Sequence, residues 1–176
     1  MNKPIAIITG ASTGIGRNLA IKFSSKYFIY LISRNEKNLN ETKYLIEKAG
    51  GECKIIVSDI SKSNSIDVIY SQIKNKSKIN LLINNAGIGI FKNISETTIE
   101  DWNNTINTNL TGSFLMTKMI IDQLKSNKNG KIVFISSVAG LQPYKNSTAY
   151  VLSLIHISEH TRRRGISYDV LCLKKK

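Results

Sequence analysis

The amino-acid sequence predicts an α/β fold built on a doubly wound parallel sheet. Short runs rich in Ile and Val alternate with longer amphipathic stretches, and the first run ends in a glycine-rich loop that leads directly into a helix. The runs predicted to be strands are 4–9, 28–33, 54–58, 79–84 and 131–136. The stretches with helical periodicity are 15–27, 36–49, 62–76 and 98–126. Such alternation is typical of right-handed βαβ units, which place helices on both faces of a parallel sheet.

The fourth helical stretch has the clearest start signal and the clearest apolar stripe. Thr98 and Asp101 have the spacing of a capping box, in which each residue satisfies a backbone N–H near the other. A three-to-four spacing is kept by Ile99, Trp102, Ile106, Leu110 and Phe114. This stretch is therefore predicted to be helical.

Length and composition narrow the class of protein. A chain of 176 residues suits one domain with a substantial core. The net charge is +13, but the basic residues are mostly lysines scattered among Asn and Ile without an Arg–aromatic stripe, so we expect no nucleic-acid partner. Cys53 and Cys172 give neither a disulfide framework nor a zinc spacing, which favours a reducing, cytoplasmic location and no metal site. No run approaches the roughly 18 apolar residues of a membrane span, so we expect no membrane partner.

The glycine-rich loop is the first candidate binding site. Its sequence is Thr9-Gly10-Ala11-Ser12-Thr13-Gly14-Ile15-Gly16, and it lies between a predicted strand and a predicted helix. Glycines let the backbone turn tightly and approach a pyrophosphate, whose charge the helix N-terminus then meets. Ligands on such sheets bind at the carboxyl ends of the strands, where the strand order reverses. The loop is therefore predicted to bind the phosphates of a dinucleotide.

Four later segments complete the pattern. Asp59-Ile60 follows the third strand, Asn84-Asn85-Ala86-Gly87 closes the fourth, Asn107-Thr108-Asn109-Leu110-Thr111-Gly112 lies in the last helical stretch, and Ser136-Ser137 follows the fifth strand. Tyr150 comes thirteen residues after Ser137. With the Gly-x-x-x-Gly-x-Gly spacing of the loop, these segments in this order make the chain resemble the classical short-chain dehydrogenase/reductase family.

The resemblance implies a Rossmann-type sheet and assigns the cofactor site. It covers 1–150, so we expect about five strands of the seven-stranded family sheet within a dinucleotide-binding domain at 1–151. The cofactor-binding positions it implies are Gly10, Ser12, Thr13, Gly14, Ile15 and Gly16 in the loop, Asp59 and Ile60 near the adenine, and Asn85, Ala86 and Gly87 on the adenosine side. Family members assemble through the helices near 98–126 and after Tyr150, which implies a homodimer or homotetramer for the intact protein.

The end of the second strand bears on which nicotinamide cofactor is bound. An acidic residue there accepts hydrogen bonds from the ribose hydroxyls and repels a 2′-phosphate. This chain has Ser33-Arg34 instead, and a guanidinium suits a phosphate through charge-assisted bonds. We therefore expect NADP to be preferred, with NAD possible as the alternative cofactor. Arg34 as a solvated loop charge remains the competing interpretation.

The resemblance also implies the catalytic residues. Tyr150 is the family's general acid/base, Ser137 hydrogen-bonds the substrate oxygen, and Asn109 marks a helix distortion that holds a water in the proton relay. A phenol has an ordinary pKa near 10, so the family places a lysine one helical turn after the tyrosine to favour the phenolate. This chain has Leu154 at that position.

The sequence from Leu152 onwards resembles a translated sequencing adapter. The segment Leu152-Ser153-Leu154-Ile155-His156-Ile157-Ser158-Glu159-His160-Thr161-Arg162 differs at one position from one reading frame of a transposon-type adapter, and 166–176 resembles its far end followed by a poly-A run. We therefore expect 152–176 to be non-native and to contribute nothing to the family fold. It holds six basic and two acidic residues, so 1–151 carries a net +9. Without the family's later strands, the fifth strand is expected to lie at an unprotected edge.

The expected function is that of an NAD(P)-dependent oxidoreductase, which transfers a hydride between nicotinamide and a small-molecule carbonyl or alcohol. The chain as written is expected to be inactive because it lacks the lysine. The alternative is a non-catalytic sensor or scaffold that binds a nicotinamide dinucleotide and has a genuine Leu154. Acyl-carrier-bound 3-oxo esters, sugars and small ketones all remain open as substrates.

Overall fold

A parallel six-stranded sheet forms the centre of the molecule, with strand order β3-β2-β1-β4-β5-β6. The computed structural model describes residues 3–127, 129–142, 144–158 and 168–173. The strands are β1 Ile5–Thr9, β2 Phe28–Ser33, β3 Glu52–Val57, β4 Ile79–Asn84, β5 Lys131–Ser137 and β6 Tyr168–Leu173. The helices are α1 Gly14–Phe23, α2 Glu36–Lys48, α3 Ser63–Gln72, α4 Ile99–Ile106, α5 Gly112–Ser126 and α6 Thr148–Ser158.

The strand order reverses between β1 and β4, which lie side by side at the middle of the sheet. The chain moves outward from β1 through β2 to β3, then returns to the other side of β1 and moves outward through β4 and β5. The loops after β1 and β4 therefore leave in different directions and open a crevice at the carboxyl ends of the strands. The predicted doubly wound fold is confirmed.

The core consists of two layers, one on each face of the sheet. On one face Ile69 of α3 and Met116 and Ile120 of α5 pack among buried sheet residues. On the other face Ala20 of α1 and Leu39 of α2 do so. The central strand β1 is fully buried along its length, as a strand covered on both faces must be. Each fully buried Ile stabilises the fold by about 1.5–3 kcal/mol relative to an exposed one, so the central strands dominate the core.

The apolar stripe of the fourth helical stretch is exposed at its two ends and half-buried at Trp102, Ile106 and Leu110. Ile99 is 74% exposed and Phe114 is 59% exposed. The buried face of the same stretch carries polar residues, among them Thr105 and Asn109, as well as Met116. The stretch is also interrupted, because α4 and α5 are joined by a π-helical turn, Asn107–Thr111. The helical stretch predicted at 98–126 is therefore present, with the π-helical turn in its middle.

The sixth strand corrects one expectation. The sheet of about five strands predicted for 1–151 is present as β1 to β5, but β5, which was predicted to lie at an unprotected edge, pairs in parallel with β6 from Ile132 to Ser137. An unpaired edge presents a row of free N–H and C=O groups, and any extended segment within reach can satisfy them. Backbone pairing of this kind places few demands on sequence, so the pairing does not depend on 168–173 being native.

The capping box at the start of α4 is confirmed. The Thr98 hydroxyl accepts a hydrogen bond from the Asp101 N–H at 3.1 Å, and the Asp101 carboxylate accepts one from the Thr98 N–H at 3.1 Å. The same carboxylate forms an ion pair with Lys92 at 2.7 Å. The hydrogen bond from Lys92 and those from Thr98 lower the pKa of Asp101 below its ordinary value of 3.8.

The lowered pKa gives Asp101 a pH-dependent contribution to stability. The carboxylate stabilises the fold above its unfolded-state pKa, and this contribution is lost as the pH falls through the lower folded-state pKa. We expect Asp101→Asn to lower the urea midpoint at pH 7, with the difference from the parent vanishing in acid. Glu100→Gln, which changes the neighbouring acid of the same helical turn, is the control and leaves the midpoint nearly unchanged. An equal effect of both variants would assign the stabilisation to the helix dipole instead.

Candidate functional site

The carboxyl ends of β1 and β4 are tied together by side-chain hydrogen bonds. The Thr9 hydroxyl accepts from the N–H groups of Asn85 and Ala86, each at 3.0 Å. The Asn85 amide donates in return to the carbonyls of Thr9 at 3.0 Å and Gly10 at 3.2 Å. These four bonds hold the glycine-rich loop against the loop that follows β4. The sequence did not predict these contacts of the Thr9 side chain. A hydroxyl residue at the end of the first strand was the signal that could have suggested them.

The glycines of the loop are required by conformation and by space. Gly10 has a φ of +63°, and a Cβ there would lie 2.8 Å from the Cα of Ala86. Gly14 has a φ of +55°, but a Cβ there would meet nothing within 4 Å. A Cβ on Gly16 would overlap the Gly10 carbonyl oxygen, so Gly16 allows α1 to begin directly against the loop. The loop therefore has the close backbone approach that a bound pyrophosphate requires.

A cavity of about 350 Å³ brings the predicted cofactor positions together. Its lining contains every predicted position except Gly16: Gly10, Ser12, Thr13, Gly14, Ile15, Ser33, Arg34, Asp59, Ile60, Asn85, Ala86 and Gly87. The Thr13 side chain makes no capping bond at the start of α1, which leaves the first-turn N–H groups without that partner. These residues fit a dinucleotide: a glycine loop, an uncapped helix N-terminus and a basic residue line one cavity.

The end of β2 places two polar side chains beside the loop. The Ser33 hydroxyl donates to the Ser12 hydroxyl at 2.9 Å. The Arg34 side chain is 62% exposed, and its guanidinium lies 4.0 Å from the Asp59 carboxylate. An exposed ion pair at this distance contributes about 0–1 kcal/mol. Arg34 can therefore leave Asp59 for a stronger anion at little cost.

A second cavity, of about 860 Å³, contains the predicted catalytic residues. Its lining includes Asn109, Ser137 and Tyr150, and it shares Ile15 and the segment 85–88 with the smaller cavity. The two cavities are therefore neighbouring parts of one groove along the strand ends. Polar groups that could handle a carbonyl oxygen lie at one end, and the dinucleotide positions lie at the other.

Asn109 lies in the π-helical turn and is buried. Its amide makes a two-point contact with Ile88, donating to the carbonyl at 2.9 Å and accepting from the N–H at 2.8 Å. It also donates to the Ser153 hydroxyl at 2.9 Å, and Ser153 in turn donates to the Tyr150 carbonyl at 2.7 Å. The helix distortion implied for Asn109 is present. The amide links the loop after β4 to the helix that carries Tyr150.

Ser137 and Tyr150 reach the cavity from β5 and α6. The Ser137 hydroxyl accepts from the Ala139 N–H at 3.2 Å, which fixes the side chain at the strand end. The Tyr150 ring packs edge-to-face against Phe91, with ring centroids 5.5 Å apart. Phe91 and Tyr144 both line the cavity, and both were missed by sequence reasoning because their loops carry no periodic pattern.

Leu154 occupies the position where the family has its lysine. It lies one turn after Tyr150 in α6, lines the larger cavity and is 5% exposed. The residues that line this cavity in the described part of the chain include no Lys, Arg, Asp or Glu. A buried leucine makes the floor of the cavity apolar, so it offers no positive charge to a phenolate.

Other chemistry-bearing groups lie away from the groove. Among the described residues, no three or more His, Cys, Asp or Glu side chains are grouped so as to hold a metal ion. Burial, with the nearby Glu47 carboxylate, raises the pKa of the Cys53 thiol on β3 to about 11. In the described ranges, no helix has both the length and the apolar character to cross a membrane.

Comparison with known proteins identifies the family. The sequence model of the short chain dehydrogenase family matches residues 4–162, and the chain belongs to this family. The match ends later than the motifs, whose resemblance stops at Tyr150. It includes part of the segment that resembles an adapter, and it does not test whether that segment is native.

Individual relatives agree with the family assignment. The chain is 33% identical over 165 residues to an uncharacterized oxidoreductase of Thermotoga maritima, covering 93% of the chain and 65% of the relative. It is 31% identical to a 3beta-hydroxysteroid dehydrogenase of Mediterraneibacter gnavus, covering 95% of the chain and 61% of the relative. Among solved structures, a metagenomic short-chain oxidoreductase in complex with NADP is 27% identical with a TM-score of 0.86, covering 96% of this chain and 81% of that one. The chain thus spans somewhat under two thirds of the length of these two curated relatives.

The two positive-φ glycines of the loop give a matched test of its geometry. We expect Gly14→Ala to lower the free energy of unfolding by about 1 kcal/mol, because alanine must adopt the left-handed backbone of this position. Gly10→Ala should lower the free energy of unfolding by about 3 kcal/mol or more, because the added Cβ would also overlap the Ala86 backbone. Urea unfolding of both variants measures the difference. Equal losses would mean that the contact between the loop and Ala86 is not tight.

Proposed function

We propose that the protein binds a nicotinamide dinucleotide and that its intact form transfers a hydride between this cofactor and a carbonyl or alcohol. The observation that carries the proposal is the continuous groove, with the predicted cofactor positions along the smaller cavity and Ser137 and Tyr150 in the larger one. Family membership and the similar oxidoreductases support it.

NADP is the proposed preference. The smaller cavity ends at Ser33 and Arg34, where NAD-binding relatives of this fold type carry an acid. The guanidinium is held only by an exposed ion pair of 4.0 Å and can turn to a 2′-phosphate, whose charge-assisted bonds are stronger. The similar metagenomic structure is a complex with NADP. On this proposal, Asp59 is the ion-pair partner of Arg34 when no cofactor is bound.

The proposed chemistry divides between the cofactor and this chain's residues. A dinucleotide held along the smaller cavity by the glycine-rich loop and Arg34 would supply hydride chemistry through its nicotinamide. Ser137, with its hydroxyl fixed by Ala139, hydrogen-bonds the substrate oxygen, and the Tyr150 phenol exchanges the proton with that oxygen. Asn109 holds the loop after β4 by bonding both the N–H and the carbonyl of Ile88. Without a lysine beside it, Tyr150 loses the charge that would make it an effective base.

We propose that 152–176 is non-native and that Leu154 stands in place of an unobserved lysine. The resemblance of this segment to an adapter supports this, as does the absence of any charged residue from the described lining around Tyr150. The second candidate is a dinucleotide-binding sensor or scaffold with a genuine Leu154, favoured by how completely that leucine is buried. Re-sequencing the gene past the Tyr150 codon separates the two: a lysine four codons on supports the enzyme, and a genomic leucine supports the sensor.

The intact protein is proposed to be a cytoplasmic homodimer or homotetramer. The exposed side chains of Ile99 and Phe114 form an apolar surface along α4 and α5. Exposed apolar surface of this kind marks an interaction site. Cys53 is a free thiol, which is in keeping with a reducing compartment.

Arg34 gives a direct test of cofactor preference. We expect Arg34→Ser to weaken NADPH binding by about 10-fold or more, through loss of a charge-assisted phosphate contact, and to leave NADH binding within about twofold. Lys37→Ser is the matched control, because Lys37 lies on α2 outside the lining of the smaller cavity. Titrations followed by NAD(P)H fluorescence give both affinities. Equal loss for the two cofactors would assign Arg34 to the solvated surface.

Turnover tests the proposed catalytic residues. The chain as written should show no reduction of ketones above background when the loss of NADPH absorbance is followed. In the gene product with a lysine after Tyr150, Tyr150→Phe and Ser137→Ala should each lower kcat by about 10²-fold or more. Measurable turnover by the chain with Leu154 would contradict the role given to the lysine. Full activity of Tyr150→Phe would contradict the role given to the phenol.

A further inference from the structure

Arg17 hydrogen-bonds the backbone of the glycine-rich loop. It lies in α1, and its Nε and one terminal guanidinium nitrogen both donate to the Ser12 carbonyl, at 3.0 Å and 2.6 Å. The Nε also donates to the Thr42 hydroxyl at 3.0 Å. A cationic fork on one carbonyl makes charge-assisted bonds, which are roughly twice as strong as neutral ones. These bonds therefore fix the Ser12 carbonyl so that it points toward α1.

Thr42 adds a second hold on the same loop. It lies in α2 and is fully buried. Its hydroxyl is 3.1 Å from the Ala11 carbonyl, 3.3 Å from the Ser12 carbonyl and 3.0 Å from the carbonyl of Asn38 one turn earlier. A buried hydroxyl must donate to one of these acceptors. The Ser12 carbonyl therefore has partners on the side of α1 and α2, and the Ala11 carbonyl lies within reach of the single Thr42 proton.

This arrangement matters because a phosphate needs N–H groups and is repelled by carbonyl oxygens. Ala11 and Ser12 lie in the loop between Gly10 and Gly14, and these two glycines give the backbone freedom to rotate. A peptide that turned over would present its carbonyl to the bound pyrophosphate. Neither Arg17 nor Thr42 lines the smaller cavity, so both act on a ligand only through the loop.

The simpler role for Arg17 is to attach α2 to α1. It forms an ion pair of 3.0 Å with Glu41 and donates to the Asn38 carbonyl at 3.3 Å. The Glu41 side chain is half exposed, and pairs of this kind contribute about 0–1 kcal/mol. The shortest contact of Arg17, at 2.6 Å, and a second at 3.0 Å both go to the Ser12 carbonyl, so Ser12 is its main partner.

We infer that Arg17 and Thr42 are positioning residues that hold the glycine-rich loop in the shape that binds a pyrophosphate. The inference rests on the proposed dinucleotide binding and assigns these two side chains an effect on affinity for the diphosphate part of the ligand. Neither residue touches the ligand. Their contribution is preorganisation, because a loop whose backbone is already held in one shape loses less conformational freedom when it binds a ligand.

The test compares two probes on the chain as it stands. NADPH carries a pyrophosphate, whereas adenosine 2′-monophosphate carries the 2′-phosphate and the adenine without one. We expect Arg17→Met to weaken NADPH binding by about 10-fold or more and Thr42→Val by about 3-fold to 10-fold. Binding of adenosine 2′-monophosphate should stay within about twofold in both variants. Glu41→Gln, which removes only the outer ion pair, should leave both affinities within about twofold.

The possible outcomes separate this inference from the proposed function. A parent chain that fails to bind NADPH overturns the proposed function and this inference with it. A parent that binds NADPH, with Arg17→Met or Thr42→Val binding it equally well, overturns the inference alone. Equal losses for the two probes also overturn it, because they indicate general unfolding. Thermal unfolding of each variant shows whether it is folded, and if Arg17→Met does not fold, the isosteric Thr42→Val decides.

Discussion

The contact between the ends of β1 and β4 is the constraint on which the rest of the site depends. Thr9 and Asn85 exchange hydrogen bonds across it, and the backbone of Gly10 lies so close to Ala86 that a Cβ cannot be accommodated. Because these strands carry the glycine-rich loop and the loop after β4, their separation fixes the width of the groove. A sheet in which other strands were neighbours would have the same residues and no crevice to hold a ligand.

The loop after β4 belongs to both halves of the groove. Its segment 85–88 lines both cavities, and the Ile88 backbone is bound at both its N–H and its carbonyl by Asn109. Through Ser153, Asn109 also reaches the helix of Tyr150. A ligand that displaces this loop at the cofactor end would therefore affect Tyr150 at the other. The two ends are linked by a chain of direct hydrogen bonds.

The sequence predicted the parts of the fold that local patterns determine. The five Ile- and Val-rich runs, the glycine loop between β1 and α1 and the capping box at Thr98 all depend on neighbouring residues, and the structure contains them. Arg17 and Thr42 were missed because their contact spans 25 residues and follows no local period. The stripe from Ile99 to Phe114 predicted a helix correctly but gave no sign that its two ends are exposed. The pairing of β6 was missed because a sheet edge accepts an extended segment through its backbone, which leaves little trace in sequence.

The π-helical turn at Asn107–Thr111 fixes the angular relation between α4 and α5. Each residue of an α-helix advances the direction of its side chain by about 100°, so one residue accommodated in a wider turn rotates everything after it by that angle. Met116, Ile120 and Leu124 reach the core from the far side of this turn. The turn is thus an indexing element: if the same residues continued as a regular α-helix, all three core residues would be rotated by about 100° and would point away from the sheet.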